Sequence, residues 1–297
     1  MIPGKIIRAL SGFYYVKDDK NLKVYECKGR GILRKENITP VVGDNVYISI
    51  TDEKSQKGMI EEVLERKNFL IRPPISNVTK AVLVFAVKTP DPNFSLIDRF
   101  IVLAEREGLE IVICFNKIDL LDEADYKDKM AIYQRAGYKV IPVSSKLGTG
   151  IEELKIELKG NVTVVAGPSG AGKSSLINQI DENLKLKTSD ISQKSGQGRH
   201  TTRFAQLIEI DKDSLVADTP GFSSLTLEIL EDTELKEYFI EFHEYDHDCK
   251  FGFKCIHENE PGCMVKDAVS KNDISLERYE SYIQLLGEIK ESKKRRY

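Results

Sequence analysis

No stretch of the chain approaches the ~18–20 apolar residues that a bilayer-spanning helix requires. The longest apolar run, Ala81 to Val87, has seven. Residues Met1 to Arg8 lack the apolar segment of a secretory signal. A cytoplasmic protein with no membrane partner is therefore expected. Cysteine is scarce as well. Five over 297 residues are too few for a disulfide scaffold, and the odd count fits a reducing compartment. Net charge is small, −3, which excludes a protein basic throughout but leaves room for local basic patches.

What is present is enough for a packed protein. Apolar residues make up 41% and charged residues 31%, so the chain can bury a core. At roughly 100–200 residues per domain, its length predicts two or three domains.

Three textures follow one another. Residues 1–68 carry short runs rich in β-branched and aromatic residues: Phe13–Val16, Leu22–Tyr25 and Asn45–Ile50. Gly12, Gly29, Gly31, Pro40, Gly43 and Gly58 punctuate them, which predicts a small β-barrel. Residues 1–35 hold nine Lys/Arg against three Asp/Glu, a basic excess within an acidic chain. From residue 69 to 225, apolar runs (81–87, 111–115, 140–143, 162–166, 215–217) alternate with helical stretches such as 97–108 and 125–136. That alternation predicts a parallel sheet covered on both faces. The turn around Ile71 to Pro74 is the expected seam. Residues 226–297 open acidic, with nine acidic residues and one Lys in 228–248. A cysteine-rich loop, a predicted helix over 276–289 and a basic tail follow.

The segment Gly167, Pro168, Ser169, Gly170, Ala171, Gly172, Lys173, Ser174 matches the phosphate-loop pattern of Gly, four residues, Gly-Lys-Ser. Small residues let successive backbone N–H groups curl around phosphate oxygens, and the following helix, opening at Ser174 and Ser175, adds positive dipole. Lys173 brings a point charge to the β- and γ-phosphates, and the Ser174 hydroxyl is a Mg²⁺ ligand. Val162–Ala166 supplies the strand that such a loop follows.

Choice of base falls to Asn116, Lys117 and Asp119, at the end of the 111–115 strand, where open α/β sheets bind ligands. A carboxylate there accepts hydrogen bonds from guanine N1–H and the exocyclic amine. Adenine lacks that donor pair, and an unpaired carboxylate costs of order 1–3 kcal/mol. Lys117 can lay its stem along the base, and Asn116 can tie the loop to its neighbours. Ser144, Ser145 and Lys146 follow the 140–143 strand as a second base-contacting element. Asp218 to Gly221 ends the 215–217 strand; Asp218 is placed to hold Mg²⁺ and the Gly221 N–H to meet the γ-phosphate. Thr201 and Thr202, between the phosphate loop and that motif, are candidates to complete the Mg²⁺ shell. Phe222 stands where many GTPases place a water-orienting Gln, so slow intrinsic turnover is expected. His200 is the candidate base or water clamp.

Cys249, Cys255, His257 and Cys263 form Cys-x5-Cys-x-His-x5-Cys. Three thiolates and one imidazole suit a closed tetrahedral zinc site. By spacing alone, a disulfide or merely buried cysteines remain open. His243 and His247 are rival ligands, expected to be solvated. Cys27 and Cys114, in apolar strand patterns, are expected to be inert core residues.

The motifs run base, base, phosphate, switch, switch, whereas ordinary small GTPases begin with the phosphate loop. In that order, over nearly the whole chain, the sequence resembles ribosome small subunit-dependent GTPase A, a circularly permuted bacterial GTPase family. The resemblance implies an α/β architecture with an N-terminal OB-fold β-barrel, a central circularly permuted P-loop GTPase domain and a C-terminal, mainly helical zinc-binding domain. It implies binding of GTP and GDP with Mg²⁺, one Zn²⁺ on the Cys/His set, and contact with the small ribosomal subunit and its rRNA. It also implies subunit-stimulated GTP hydrolysis in late maturation of that subunit. The basic excess in 1–35 and the basic tail fit an RNA partner. Nothing in the sequence demands more than a monomer. An ATP-dependent phosphate-loop enzyme, an RNA-binding protein with structural GTP, and a permuted GTPase of the large subunit are the alternatives.

Overall fold

The computed structural model describes residues 1–71, 74–181, 206–217, 227 and 230–296. Its N-terminal stretch forms β1 (Ile2–Leu10), β2 (Phe13–Asp18), β3 (Val24–Gly29), the short helix α1 (Gly31–Lys35), β4 (Asn45–Asp52) and β5 (Lys57–Val63). These strands close into a barrel in the order β1-β2-β3-β5-β4. All neighbours are antiparallel except β3 and β5. The interior follows from period-two alternation. Ile6 lies opposite Val16, Val16 opposite Tyr25, and Ile48 opposite Ile60, all fully buried. The Cys27 thiol sits in the same core, and burial pushes its pKa up to about 12.

Two barrel strands had no sequence signal. β1 contains Pro3 and Gly4, and β5 contains Gly58, so neither looks β-prone. The run at Leu22–Tyr25 is half turn: Leu22 adopts φ +61°, and the Asp18 carboxylate accepts the Lys20 N–H at 2.8 Å. Around the expected seam, β6 (Phe69–Ile71) and β7 (Pro74–Ser76) pair as a hairpin. Ser76 donates its N–H to the Val42 carbonyl (2.9 Å) and its hydroxyl to the buried Asp44 carboxylate (2.6 Å). Arg66 reaches the same carboxylate at 2.7 Å. The segment after the barrel is thus fastened to the 39–44 loop.

The chain continues through β8 (Lys80–Ala86), α2 (Phe94–Arg106), β9 (Glu110–Asn116), α3 (Glu123–Arg135), β10 (Lys139–Pro142), α4 (Ile151–Leu158), β11 (Val162–Ala166) and α5 (Lys173–Ile180). β12 (Leu207–Asp211) and β13 (Ser214–Ala217) follow, then 3-10 turns and the helices α6 (His243–Asp246), α7 (Met264–Ser270) and α8 (Leu276–Arg296). No helix among the described residues is long and apolar enough to cross a membrane.

The described residues divide into two compact units. One takes in residues 1–81, 158–165 and 206–217; the other takes in 82–157, 166–181, 227 and 230–296. In the first, β13 pairs parallel with β11 and antiparallel with β12. Barrel and strands are joined there by the buried Lys17, whose amine meets the Glu209 carboxylate at 2.7 Å and the Lys212 carbonyl at 2.8 Å. In the second, the strand order is β10-β9-β8, with β9 and β10 parallel. β8 is buried along its whole length, as a strand covered on both faces must be. Asn93 caps α2 by accepting the Leu96 N–H at 3.0 Å, and α2 buries Ile97, Phe100, Ile101 and Ala104.

Among several charged contacts that hold the C-terminal helix within the second unit, one cation is fully buried. Arg278, 1% exposed, bonds Asp98 of α2 at 2.6 Å and Glu241 at 2.7 and 2.9 Å. Its guanidinium also lies 4.5 Å from the Phe239 ring centroid. Removing one partner of such a network strands the others in a dry interior. Arg278→Met is therefore expected to destabilise the chain by about 3–5 kcal/mol in urea unfolding. The double variant Arg278→Met/Asp98→Leu should recover part of that loss.

Candidate nucleotide and metal sites

The phosphate loop begins where β11 ends, and its backbone is possible only with glycine at two places. Gly167 has φ +141°, and a Cβ there would stand 2.0 Å from the Val84 carbonyl of β8. Gly172 caps α5 with φ +93°, and a Cβ there would stand 2.3 Å from Asn116 Nδ2. Either position with any other residue would combine a left-handed backbone with a clash. Lys173 opens α5 and stretches back across the loop; its amine donates to the carbonyls of Gly167 (2.8 Å) and Pro168 (2.7 Å). Burial lowers its pKa from the usual lysine value. Ser169 and Gly170 are exposed, Ala171 is buried, and Ser174 and Ser175 are half-buried in the first turn of α5.

Asn116, fully buried at the end of β9, ties this loop to the base elements. Its Nδ2 donates to the Ala171 carbonyl at 2.8 Å. Its Oδ1 accepts from the Lys117 N–H (2.8 Å) and the Ser145 N–H (3.1 Å). Three segments that are distant in sequence thus share one carboxamide. Lys117 takes a left-handed backbone, φ +65°, and its amine reaches the Thr89 carbonyl at 2.5 Å. The buried Ser144 hydroxyl donates to the Asp119 carboxylate at 2.6 Å and accepts the Leu147 N–H at 3.2 Å. Asp119 and Lys146 are themselves exposed.

The residues predicted for base and phosphate binding therefore gather in one place, with Asn116 and Ala171 in direct contact. His200, Thr201, Thr202, Asp218 and Gly221 lie outside the described residues. Two participants had not been singled out by sequence reasoning, Thr89 and Val84. Thr89, just after the apolar β8 run, accepts from Lys117 through its carbonyl, and Val84, in the middle of that run, sets its carbonyl against Gly167; a carbonyl's role leaves no mark on residue type.

The Cys249, Cys255, His257 and Cys263 side chains converge, one ligating atom from each within 4.8 Å of the others, and all four are buried. No disulfide joins them: the cysteines are free, and the Cys249 and Cys263 sulfurs are 4.0 Å apart. That spacing is near the roughly 3.7 Å edge of a tetrahedron with zinc–sulfur bonds of about 2.3 Å. His257 Nδ1 lies 3.3 Å from Cys263 Sγ and 3.7 Å from Cys249 Sγ. Burial pushes the Cys255 thiol up to about 12 and raises Cys263, a cost that a divalent cation at the centre would offset. The Met264 N–H points at Cys249 Sγ at 3.3 Å. The donor set fits a structural metal ion. Tyr279 and Tyr282 fix the loop by donating to the His257 and Ile256 carbonyls at 2.7 and 2.6 Å. His243 and His247 are exposed, as expected of non-ligands in the acidic stretch. Cys114 is fully buried in β9, where desolvation drives its pKa far up.

Comparison with known proteins places this geometry. Residues 63–228 match the family described as RsgA GTPase, and residues 3–60 match the RsgA N-terminal domain. A small ribosomal subunit biogenesis GTPase RsgA of Alkaliphilus metalliredigens is 48% identical over 297 residues, covering all of both chains. A protein of the same description from a Geobacillus species is 48% identical over 298 residues, covering 99% of this chain and 100% of its own. Among solved structures, YjeQ from Thermotoga maritima superposes with a TM-score of 0.85 at 40% identity, over 97% of this chain and 98% of its own. YloQ, described as a circularly permuted GTPase, superposes with a TM-score of 0.83 at 41% identity, over 98% and 96%. The expected order of barrel, permuted GTPase and Cys/His region is thereby borne out. The chain belongs to the RsgA GTPase family.

Proposed function

We propose that this chain is a GTPase of small ribosomal subunit biogenesis, hydrolysing GTP to GDP and phosphate on the maturing subunit. The observation that carries the reading is the Asn116 carboxamide, which bonds the 116–119 segment directly to the glycine-rich loop at 167–174 and so supports one site made of both. Relatives named for that role match over their full length. Residues 1–68 serve as the RNA-binding barrel, 69–225 as the GTPase domain and 226–297 as the metal-binding domain. The protein works as a cytoplasmic monomer.

In this reading Asp119 takes the guanine edge and Lys117 lies along the ring, while Ser144, Ser145 and Lys146 shape the other side of the base pocket. The amides from Gly167 to Ser175 surround the phosphates, and Lys173 leaves its loop carbonyls for the β- and γ-oxygens. Ser174 and Asp218 hold Mg²⁺, which neutralises charge on the phosphates. Thr201, Thr202 and Gly221 sense the γ-phosphate. His200 orients or deprotonates the attacking water once the subunit docks, because Phe222 has no group to do so. The Cys249, Cys255, His257, Cys263 set holds one Zn²⁺ and closes the C-terminal fold.

Three measurements test this. GTP turnover of the purified chain should be slow alone and rise at least tenfold with purified small subunits; an unchanged rate overturns the assignment. Asp119→Asn should move preference from guanine to xanthine nucleotides in competition binding, since an amide there can donate to the xanthine carbonyl. His200→Ala should lose most of the subunit-stimulated rate with GTP affinity unchanged; a wild-type stimulated rate removes His200 from the mechanism.

A further inference from the structure

The Cys/His set does not stand alone. On the far edge of the His257 ring, Nε2 lies 3.1 Å from Asp246 Oδ1, an oblique approach rather than a linear hydrogen bond. Asp246 is buried, and the cation beside it is Lys236, 4% exposed. The Lys236 amine donates to both carboxylate oxygens, at 3.1 and 3.0 Å, and to the Phe253 carbonyl at 3.1 Å. All three ammonium hydrogens are thus used. Lys236 is also the single Lys among the nine acidic residues of 228–248.

We propose that Asp246 and Lys236 are positioning residues for the metal ion, an inference that rests on the Cys/His set holding zinc. An imidazole ligates through a nitrogen that carries no proton, so the other nitrogen must carry it. His257 turns Nδ1 toward the sulfurs, and the Asp246 carboxylate favours the proton on Nε2, selecting the ligating tautomer. Lys236 bonds both carboxylate oxygens and so fixes the plane that Asp246 presents to the ring. The third bond of Lys236 ends on the Cys249–Cys255 loop, two residues before a ligand. That loop displays Phe251 and Phe253, 47% and 78% exposed. The same ammonium therefore governs both the tautomer of one ligand and the course of the loop between two others.

The test uses the full chain. Zinc affinity is read by chelator competition, the His257 ring by long-range nitrogen–proton NMR of the zinc-loaded protein, and ligand geometry by the absorption of the cobalt-substituted form. In the wild type, the ring should be protonated at Nε2 and ligated at Nδ1; ligation through Nε2 overturns the proposal outright. Asp246→Asn should weaken zinc about 10–100-fold, shift the His257 nitrogen signals and alter the cobalt spectrum. Lys236→Met should weaken zinc in the same direction, and Lys236→Arg should restore most of the affinity. Variants that melt earlier yet keep wild-type zinc affinity and wild-type ring signals would make the pair a simple fold staple and end the proposal. A wild-type chain that takes up no zinc would instead overturn the metal reading beneath it.

Discussion

The carboxamide of Asn116 is the point on which the nucleotide site turns. It is fully buried, and its oxygen and nitrogen both have committed partners: two backbone N–H groups on one side, the Ala171 carbonyl on the other. A buried polar group of this kind is costly when unpaired and rigidifying when satisfied. Through it, the loops at 116–119 and 144–146 are tied directly to the glycine-rich loop at 167–172. Gly172 completes the arrangement by having no side chain, so that Asn116 can approach the phosphate-loop backbone.

Part of this was legible in residue type. The turns at Gly167 and Gly172 admit no side chain, and the barrel core announced itself through β-branched and aromatic runs such as Asn45–Ile50. Other features left no local mark. Arg278 and Asp98 are 180 residues apart, and Lys17 and Glu209 are 192 apart. Each reads in sequence as an ordinary surface charge, since only the fold decides which charges lose their water. Lys236 stood in the acidic stretch as a lone basic residue, and its burial against Asp246 could not be read from spacing. β1 and β5 carry a weak local signal, because Pro3, Gly4 and Gly58 lower the strand propensity that tertiary pairing then overrides.

The Cys/His region shows how a small segment with little apolar surface acquires order. Four side chains converge from a span of fifteen residues, while Phe242 and Tyr282 pack against the His257 ring and Phe239 packs behind them. Aromatic packing, tyrosine hydroxyls bonded to loop carbonyls and a fully used ammonium all act on the same few residues. A metal ion added to that framework would meet donors already gathered around one point, which lowers the ordering cost of binding.

The ion pair between Lys17 and Glu209 has a consequence for how such a chain can be taken apart. The first compact unit is stitched from three separated lengths of polypeptide, and the barrel's own lysine finds its counter-charge on β12, far along the gene. A cut after the barrel would not release a finished module. It would bare a carboxylate and a carbonyl on the remainder and an unmatched amine on the excised piece. Grafting the barrel of one relative onto the remainder of another would therefore succeed only where both ends of that contact travel together.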